Sequence, residues 1–306
     1  MGTPEEAVPS LVAVQAAGHE VALVITPPDA PAGRGCEPRP PRVKQAAQML
    51  GLPVAQPESV RQAQTIETVR GLCPDALVVV AFGQILPRAL LEVPRWGGIN
   101  VHFSLLPQWR GAAPVEHALL SGATTTGVSV MRMSGRMDAG PVLASASWRV
   151  REGDDRASLK QRLAHLGADL LVGVLWRLTH GGVGRVHQDH SKATYAPKIT
   201  DESARLDWRR PARALADAVK AFSPFPGAWT EIRARRVKLY CARVLNVSSP
   251  LPEPGTVIAV LADGLVVAAG DGAVLLREAQ QEGRKRVPAR ALANGLRLKV
   301  GDRLGV

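Results

Sequence analysis

Short apolar runs alternate with helical patterns over the first 180 residues, and this alternation is the feature that most constrains the fold. The apolar runs have the length of buried strands, and the segments between them carry apolar residues at the spacing of amphipathic helices. The apolar runs are residues 21–25, 76–81, 98–102, 127–133 and 142–150, and the helical patterns are residues 43–50, 60–72 and 155–178. Such alternation is typical of parallel strands joined by crossover helices, and it predicts an α/β domain.

The beginning of the chain departs from this pattern. Met1, Gly2, Thr3 and Pro4 lead directly into a helical pattern at residues 5–17. A doubly wound domain normally opens with a buried strand that leads into such a turn. We therefore predict a Rossmann-like, doubly wound and mostly parallel sheet from which the first strand is missing.

The second half of the chain has a different pattern. Residues 181–200 are polar and begin with a glycine pair, which predicts a linker. A helical pattern at residues 211–222 is followed by short β-branched runs between turn residues, which are typical of a small barrel or sandwich. These runs are residues 229–232, 237–242, 255–261, 264–268 and 273–278. We predict a catalytic domain at 1–180, a linker at 181–200 and a β domain at 201–306.

The net charge of +11 is distributed unevenly along the chain. Residues 201–306 contain 18 Lys and Arg against 11 Asp and Glu, an excess of seven, whereas the first 200 residues have an excess of four. A basic domain favours a polyanionic partner, because phosphate neutralisation supplies most non-specific affinity for nucleic acids. The alternative is an Arg-rich composition that only keeps the protein in solution, and charge alone leaves both open.

The cysteines and the apolar runs bear on the cellular setting. Cys36, Cys73 and Cys241 lie far apart and match no disulfide or metal-ligand spacing. No apolar run approaches the roughly 20 residues of a membrane helix, and the N-terminus lacks a signal pattern. These features favour a cytoplasmic protein with no membrane association and no metal.

Three polar residues are candidates for the chemistry. Asn100 and His102 lie two apart at the carboxyl end of a predicted strand, so both side chains face one side of the sheet at the edge where such sheets bind ligands. Asp138 follows in a loop between two strands. Taken singly, a His at a strand end is more often a structural residue and an Asp before Ala-Gly is more often a turn residue. The combination is what indicates a site.

Several motifs occur in order along nearly the whole chain, and with them the chain resembles the folate-dependent formyltransferases. The motifs are Gly2-Thr3-Pro4, residues 27–35, residues 81–87, Asn100 to Pro107, residues 109–114, the Asp138-Ala139-Gly140 turn, residues 195–199, residues 222–229 and residues 282–286. The resemblance implies a C-terminal domain built as a small OB-like β-barrel that binds tRNA. It also implies a formyl donor, 10-formyltetrahydrofolate, and an acceptor, the α-amino group of methionine on initiator tRNA.

The resemblance assigns the catalytic role to Asn100, His102 and Asp138. Attack of an amine on the formyl carbon creates a tetrahedral oxyanion, and each donor aimed at that oxygen is typically worth on the order of 3 kcal/mol. Asn100 offers an amide N–H and His102 a ring N–H. Asp138 orients His102, and it takes, directly or through water, the proton that the attacking amine releases. This chemistry needs no metal.

By the same resemblance, two segments and one loop bind the folate. The loop at residues 134–138 is expected to close over the pterin, and much of the binding is expected to come from backbone groups. The residues named by the resemblance are Phe82, Gly83, Gln84, Ile85 and Leu86 in one segment and Ser104, Leu105, Leu106 and Pro107 in the other. For Ile85 and Leu86 the alternative is an ordinary place in the core.

Basic residues in both domains are candidates for tRNA binding. In the family that this chain resembles, the loop around Arg34 inserts against the acceptor stem, and Arg34 is its key contact. The candidates are Arg34, Arg42, Lys198, Arg235, Arg236, Lys238, Arg284, Lys285 and Arg286, each of which is equally compatible with a plain solvated charge. Cys36-Glu37 stands where the family often has lysines, so the loop depends more on Arg34, Arg39 and Arg42.

The missing first strand leads to a hypothesis about the gene. In the family, the Gly-Thr-Pro turn follows a buried strand of about six apolar residues. Three or four buried side chains, at roughly 1.5–3 kcal/mol each, rival the net stability of a whole domain. We therefore expect a short apolar extension upstream of Met1.

Two other functions remain open at this point. A formyltransferase for an amino-sugar nucleotide shares the same three site residues and differs in its second domain. An inactive, N-terminally truncated RNA-binding relative fits the unusual beginning, although the intact Asn100, His102 and Asp138 count against it. The acceptor with which the protein reacts separates these alternatives. We expect a monomer.

Overall fold

The computed structural model describes residues 1–32, 37–247 and 250–305. The chain forms two compact units, and each combines segments that are distant in sequence. The first unit contains Met1–Pro114, Thr125–Arg149 and Lys160–Tyr195, and the second contains Val115–Thr124, Val150–Leu159 and Ala196–Val306. The three-part division at residues 180 and 200 stays a prediction.

The first part of the chain alternates helices and strands as the sequence pattern indicates. Short 3₁₀ turns at Glu5–Ala7 and His190–Lys192 accompany them. The helices are α1 (Val8–Ala16), α2 (Arg42–Met49), α3 (Ala63–Gly71), α4 (Arg88–Leu91), α5 (Pro114–Leu120) and α6 (Arg156–Thr179). The strands are β1 (Val24–Ile25), β2 (Ala30–Ala32), β3 (Glu37–Arg39), β4 (Val54–Ala55), β5 (Leu77–Val79), β6 (Gly98–His102), β7 (Arg110–Gly111), β8 (Thr125–Arg132), β9 (Val142–Arg149) and β10 (Tyr195–Ala196).

Parallel and antiparallel pairs both contribute to the sheet. β1 pairs in parallel with β4, and β5 pairs in parallel with β6. β8 and β9 form an antiparallel hairpin that adds to β6, so the order of the four-stranded sheet is β5-β6-β8-β9. The predicted α/β class is confirmed, and the hairpin makes the sheet mixed where the sequence indicated mostly parallel strands.

The first two residues lie between β1 and β5 and connect these strands. The amide of Gly2 donates to the carbonyl of Ile25 at 3.3 Å, and the amide of Val80 donates to the carbonyl of Met1 at 3.0 Å. Gly2 also forms a parallel bridge with Val80. Met1 and Gly2 thus occupy the place of a strand, but for two residues only.

A cavity of about 330 Å³ adjoins Met1 and Gly2. Residues 19–25 and residues 72–78 line it, together with apolar side chains of α1 such as Leu11 and Val14. The cavity thus lies beside the residues that lead into β1 and those that lead into β5.

The buried amino group of Met1 is expected to make stability depend on pH. It donates to the carbonyl of Val78 at 2.7 Å, and burial lowers the pKa of this amine from 8.0 to about 5. Between these values the unfolded chain holds a proton that the folded chain has released. Stability is therefore full above about pH 8 and falls as the pH drops to 5, by on the order of 4 kcal/mol. Urea unfolding at several pH values measures this slope.

Two modified chains serve as controls for that prediction. N-terminal acetylation removes the titrating group and is expected to flatten the slope between pH 5 and 8. An extension of about six apolar residues before Met1, the usual length of a strand, moves the amine away from the cavity, and it is expected to raise stability as well. Equal pH dependence with and without the extension would contradict the assignment of this slope to the buried amine.

Helix α6 covers the side of the sheet opposite to the candidate site. Val101 and Val128 face Gly167 of this helix, where an added Cβ would lie 2.7 Å and 3.2 Å from their methyl groups. The close approach requires glycine and buries Val101 to 3% exposure. Because side chains alternate along a strand, the burial of Val101 directs Asn100 and His102 to the other side.

The second unit is rich in β structure. Its elements are α7 (Ala212–Phe222), β11 (Ala228–Ile232), β12 (Arg235–Leu245), β13 (Val257–Leu261), β14 (Gly264–Ala268), β15 (Ala273–Gln281), β16 (Val287–Pro288) and α8 (Ala289–Gly295). The central sheet has the order β11-β12-β15-β14-β13, every neighbouring pair is antiparallel, and β16 pairs with β15. Buried Leu215, Val219 and Phe222 form the apolar side of α7. The predicted β-rich C-terminal domain is confirmed.

Candidate active site

Strand β6 presents Asn100 and His102 on one side of the sheet. His102 is 6% exposed, whereas Asn100 is partly exposed. In the part of the chain that the structure describes, the carboxamide of Asn100 makes no hydrogen bond. Its two amide N–H groups are therefore available to an oxygen of a bound substrate.

The backbone of Trp109 holds the ring of His102. Nε2 of His102 lies 3.0 Å from the carbonyl oxygen of Trp109. A carbonyl can only accept, so Nε2 carries a hydrogen and the neutral ring leaves Nδ1 as an acceptor. Nδ1 lies 3.8 Å from Oδ2 of Asp138. Protonation of Nδ1 would create an imidazolium facing a carboxylate.

Asp138 reaches His102 because its loop folds back over the sheet. In the register of the sheet, His102 is opposite Ser129, and β8 continues for three more residues to Arg132, which is opposite Ile99. The loop that follows must therefore return by about 10 Å, the length of three strand residues. Asp138 has the left-handed conformation, φ 47°, and its Oδ2 accepts from the amide of Gly111 at 2.9 Å.

The turn at residues 104–107 is held by hydroxyl groups. The hydroxyl of Ser104 donates to the carbonyl of Gln108 at 2.6 Å, and the hydroxyl of Ser129 donates to the carbonyl of Ser104 at 2.8 Å. Ser129 also accepts from the amide of Leu106 at 3.0 Å. Leu105, Leu106 and Pro107 are half-buried. The Ser104 side chain is thus engaged within the turn, and the apolar side chains after it are accessible.

Residues 82–86 follow β5 and divide between core and surface. Phe82 and Leu86 are buried in the apolar cluster that includes Val60 and Leu90. Gln84 accepts from the amide of Val60 at 3.1 Å and donates to the carbonyl of Glu58 at 3.3 Å. Leu86 is therefore a core residue, which was the alternative to a role in folate binding, whereas Ile85 is 74% exposed. Gly83 has φ 84°, a conformation that glycine adopts without strain.

The basic candidates differ in their partners. Arg34 lies outside the described residues. Arg42, Lys198, Arg235, Arg284 and Lys285 are exposed. Arg236 instead forms two hydrogen bonds with Asp201, at 2.5 and 2.6 Å, which hold the pKa of that carboxyl below its usual range. Arg286 pairs with Glu278. The charges of Arg236 and Arg286 are thus compensated within the protein.

Aromatic side chains accompany the cations on one side of β12. Lys238 lies 6.0 Å from the ring centre of Phe225, which is 69% exposed, and the guanidinium of Arg286 lies 4.0 Å above the ring of Tyr240. Lys238 and Tyr240 are two apart on the strand, so they face the same side. Burial raises the pKa of the Tyr240 hydroxyl, and this hydroxyl donates to Gln280 at 3.1 Å.

Sequence reasoning missed the residues that hold the site together. Trp109 and Gly111 contact His102 and Asp138 through their backbone atoms. The motif at residues 109–114 marked this segment but did not indicate what it contacts. Gln188, in the predicted linker, bonds to the backbone of Asp138 and Gly140, and no feature of the sequence points to it.

Two further features of the described residues concern metals and membranes. Within residues 1–32, 37–247 and 250–305, no group of three or more His, Cys, Asp and Glu side chains has the arrangement of a metal site. Over the same residues, no helix combines the length and apolar character that crossing a membrane requires.

The chain thus combines an amide, an imidazole and a carboxylate on an α/β sheet with a β-rich domain that follows. The profile described as "Formyl transferase" matches residues 1–175, and the one described as "Formyl transferase, C-terminal domain" matches residues 198–297. The chain belongs to the formyl transferase family.

Similar curated proteins extend over the whole chain. A methionyl-tRNA formyltransferase from Geobacter metallireducens is 42% identical over 305 residues, which cover 100% of this chain and 97% of the relative. One from Methylococcus capsulatus is 45% identical over 304 residues, 99% of this chain and 98% of the relative. The similarity therefore includes both domains.

Solved structures with low sequence identity share the fold. An N-formyltransferase from Helicobacter canadensis, solved with folinic acid and dTDP-3-aminofucose, has a TM-score of 0.64 at 15% identity and covers 92% of this chain and 97% of that chain. HypX from Aquifex aeolicus, solved with tetrahydrofolic acid, has a TM-score of 0.62 at 19% identity and covers 83% of this chain and 44% of that chain. At such identities the likeness concerns the fold alone.

Proposed function

We propose that this protein transfers the formyl group of 10-formyltetrahydrofolate to the α-amino group of methionyl-initiator tRNA, for translation initiation in the cytoplasm. The observation that carries the proposal is the placement of His102 and Asp138 3.8 Å apart on the side of the sheet where Asn100 is free to bind a substrate oxygen. Full-length similarity to methionyl-tRNA formyltransferases supports the choice of acceptor.

The residues present fit a folate donor. The segments after β5 and β6 follow neighbouring parallel strands, so they lie at the same edge of the sheet. This edge offers apolar surface from Ile85 and the half-buried Leu105 and Leu106, beside the free amide of Asn100. We assign the pterin ring to residues 82–86 and 104–107, with the loop at residues 134–138 over it. The bound donor supplies an activated formyl carbon.

Asn100 is the candidate oxyanion donor. When the amine attacks, negative charge develops on the formyl oxygen, and an uncharged N–H that is already in position stabilises it at every pH. His102 provides the second donor only when Nδ1 is protonated, because its Nε2 hydrogen is bound to the Trp109 carbonyl. The two donors thus differ in their dependence on pH.

Asp138 is the candidate proton acceptor. The attacking amine must lose a proton before the folate nitrogen leaves, and a carboxylate close to the reacting carbon can take it directly or through water. The bond from the Gly111 amide keeps one carboxylate oxygen toward His102. His102 and Asp138 then hold this proton between them until the folate nitrogen takes it and leaves as a neutral amine.

The second unit is the candidate tRNA interface. Cations beside aromatic rings on an open surface suit the phosphates and bases of RNA. Lys238 beside the exposed ring of Phe225 provides this combination at β12, and Arg284 and Lys285 lie in the turn after β15. Arg34 is retained in the proposal as an acceptor-stem contact, on the resemblance alone. We expect the protein to act as a monomer.

Replacing Arg284 and Lys285 together with alanine is expected to weaken tRNA binding and to reduce its dependence on salt. Each phosphate contact contributes about 0.7–0.9 to the slope of log K against log salt, so the loss of two contacts lowers the slope by roughly 1.5. Filter binding of initiator tRNA at several salt concentrations measures it. Arg290→Ala, which removes an exposed charge on α8, is the control, and an equal effect there would contradict a specific contact.

One assay tests the proposed acceptor. The protein is incubated with formyl donor and either methionyl-initiator tRNA or an amino-sugar nucleotide, and each acceptor is analysed for formylation. Formylmethionyl-tRNA alone is the expected product. A formylated sugar nucleotide alone would overturn the choice of acceptor, and the absence of both products would identify an inactive relative.

A further inference from the structure

One side chain from the segment after α6, that of Gln188, holds the loop of Asp138. The side-chain nitrogen of Gln188 donates to the backbone oxygen of Asp138 at 2.9 Å and to that of Gly140 at 2.6 Å. Gln188 is only 9% exposed, so water competes little for these bonds. One amide thus joins the two carbonyls that flank Ala139, directly beside the carboxylate that faces His102.

Arg110 determines which way the Gln188 amide points. Its Nε and one terminal nitrogen donate to the Gln188 oxygen at 3.1 and 2.7 Å, and the same terminal nitrogen lies 2.9 Å from Nδ1 of His190. A guanidinium carries only donors, so the amide oxygen must face Arg110 and the amide NH₂ must face the loop. Arg110 is 4% exposed and cannot easily turn away.

The backbone on either side of Arg110 touches both candidate catalytic side chains. Trp109 accepts from the His102 ring at 3.0 Å, and Gly111 donates to the Asp138 carboxylate at 2.9 Å. The side chain of Arg110 connects through Gln188 to the backbone of Asp138. These contacts close a ring around the pair, and a displacement of Gln188 changes the distance between the imidazole and the carboxylate.

We propose that Gln188 and Arg110 are positioning residues for formyl transfer, which keep Asp138 in its left-handed conformation with the carboxylate toward His102. The rate part of this inference rests on the proposed function. Misplacement of a reacting group by about 1 Å costs on the order of 10²-fold in rate. The loss therefore falls on kcat, while KM for the tRNA acceptor stays within about twofold, because neither residue belongs to the proposed tRNA interface.

Two variants of Gln188 separate the positioning role from simple packing. Gln188→Leu removes the bonds to the loop and to Arg110. Gln188→Glu keeps an acceptor for Arg110 and places a carboxylate against two carbonyl oxygens. Both are expected to lower kcat by about 10²-fold, and the melting temperature of each variant separates this loss of rate from any loss of stability. A wild-type rate in Gln188→Glu would overturn the proposal.

A double variant and a control make the comparison specific. If Gln188 acts through Asp138, Gln188→Leu changes kcat by less than about threefold in the Asp138→Asn background. If the two single-variant losses in kcat multiply in the double variant, the residues act independently, and the proposal is contradicted. Gln56→Leu removes a glutamine amide that donates to the carbonyl of Pro27 at 2.7 Å in the same unit, and it is expected to keep the wild-type rate.

A spectroscopic readout keeps this inference separate from the proposed function. In ¹⁵N-histidine protein, the ring signals of His102, identified by their loss in His102→Asn, are followed against pH. Gln188→Leu is expected to change this titration in the same direction as Asp138→Asn. An unchanged His102 titration would overturn the positioning role even if the protein formylates methionyl-tRNA. A wild type that forms no formyl product would overturn the proposed function and leave this measurement interpretable.

Discussion

Replacing Asn100 with alanine is expected to lower kcat about 10²–10³-fold, the usual cost of one oxyanion donor. The Asn100 amide makes no hydrogen bond among the residues that the structure describes, so its polar group is not required to hold the fold. The hydrogen bond from Asn100 stabilises the formyl oxygen chiefly when that oxygen becomes an oxyanion. KM is therefore expected to stay close to the wild-type value. Steady-state formylation of methionyl-tRNA measures the effect, and the melting temperature reports the fold.

Asn100→Asp sharpens this prediction because it keeps the shape of the side chain. The carboxylate replaces two donors with acceptors and repels the developing oxyanion, so its rate is expected to fall at least as far as that of Asn100→Ala. A rate within about threefold of the wild type in either variant would contradict the oxyanion role. A large fall in melting temperature in both would assign Asn100 to the fold instead.

Replacing Asp138 with asparagine is expected to lower kcat about 10²–10⁴-fold, the range of a general base. The carboxamide oxygen still accepts from Gly111, so the loop keeps one of its bonds. The variant can neither take a proton from the amine nor stabilise an imidazolium at His102. The dependence of kcat on pH is therefore expected to differ between Asp138→Asn and the wild type.

The pH–rate profile decides the role of Asp138. A profile of the same shape in wild type and Asp138→Asn would contradict its place in proton transfer, even if the rate fell. Asp169→Asn makes the same chemical change at an exposed position of α6 and is expected to leave both the rate and the profile unchanged.

The pair on β6 was predictable because it depends on one strand. Residues two apart on a strand share a side, and buried Ile99 and Val101 mark the other. The strand at Gly98–His102 has the bounds that the sequence indicates.

The segment at residues 82–86 shows where sequence patterns fail. All five residues follow one strand, yet Phe82 and Leu86 are buried and Ile85 is exposed. The direction of each side chain depends on the left-handed Gly83 and on the bonds of Gln84 to Glu58 and Val60. No period of two or 3.6 describes such a turn.

The basic residues show a second reason why sequence patterns do not determine a binding site, which is that ion pairs form between residues distant in sequence. Nine cations are equivalent in the sequence, but Asp201 compensates Arg236 and Glu278 compensates Arg286. Asp201 is 35 residues from its partner. Whether two residues so far apart in sequence form an ion pair depends on the tertiary structure.

The sequence by itself determined the alternation of strands and helices, the order of the two domains, and the shared side of Asn100 and His102. These are local properties, set by backbone periodicity and by which side chains are apolar. The tertiary structure alone decided that Asp138 returns to His102 and that Gln188, 50 residues further along, holds its backbone. Hydrogen-bond partners at such separations depend on the paths of loops, and local residue pattern does not determine those paths.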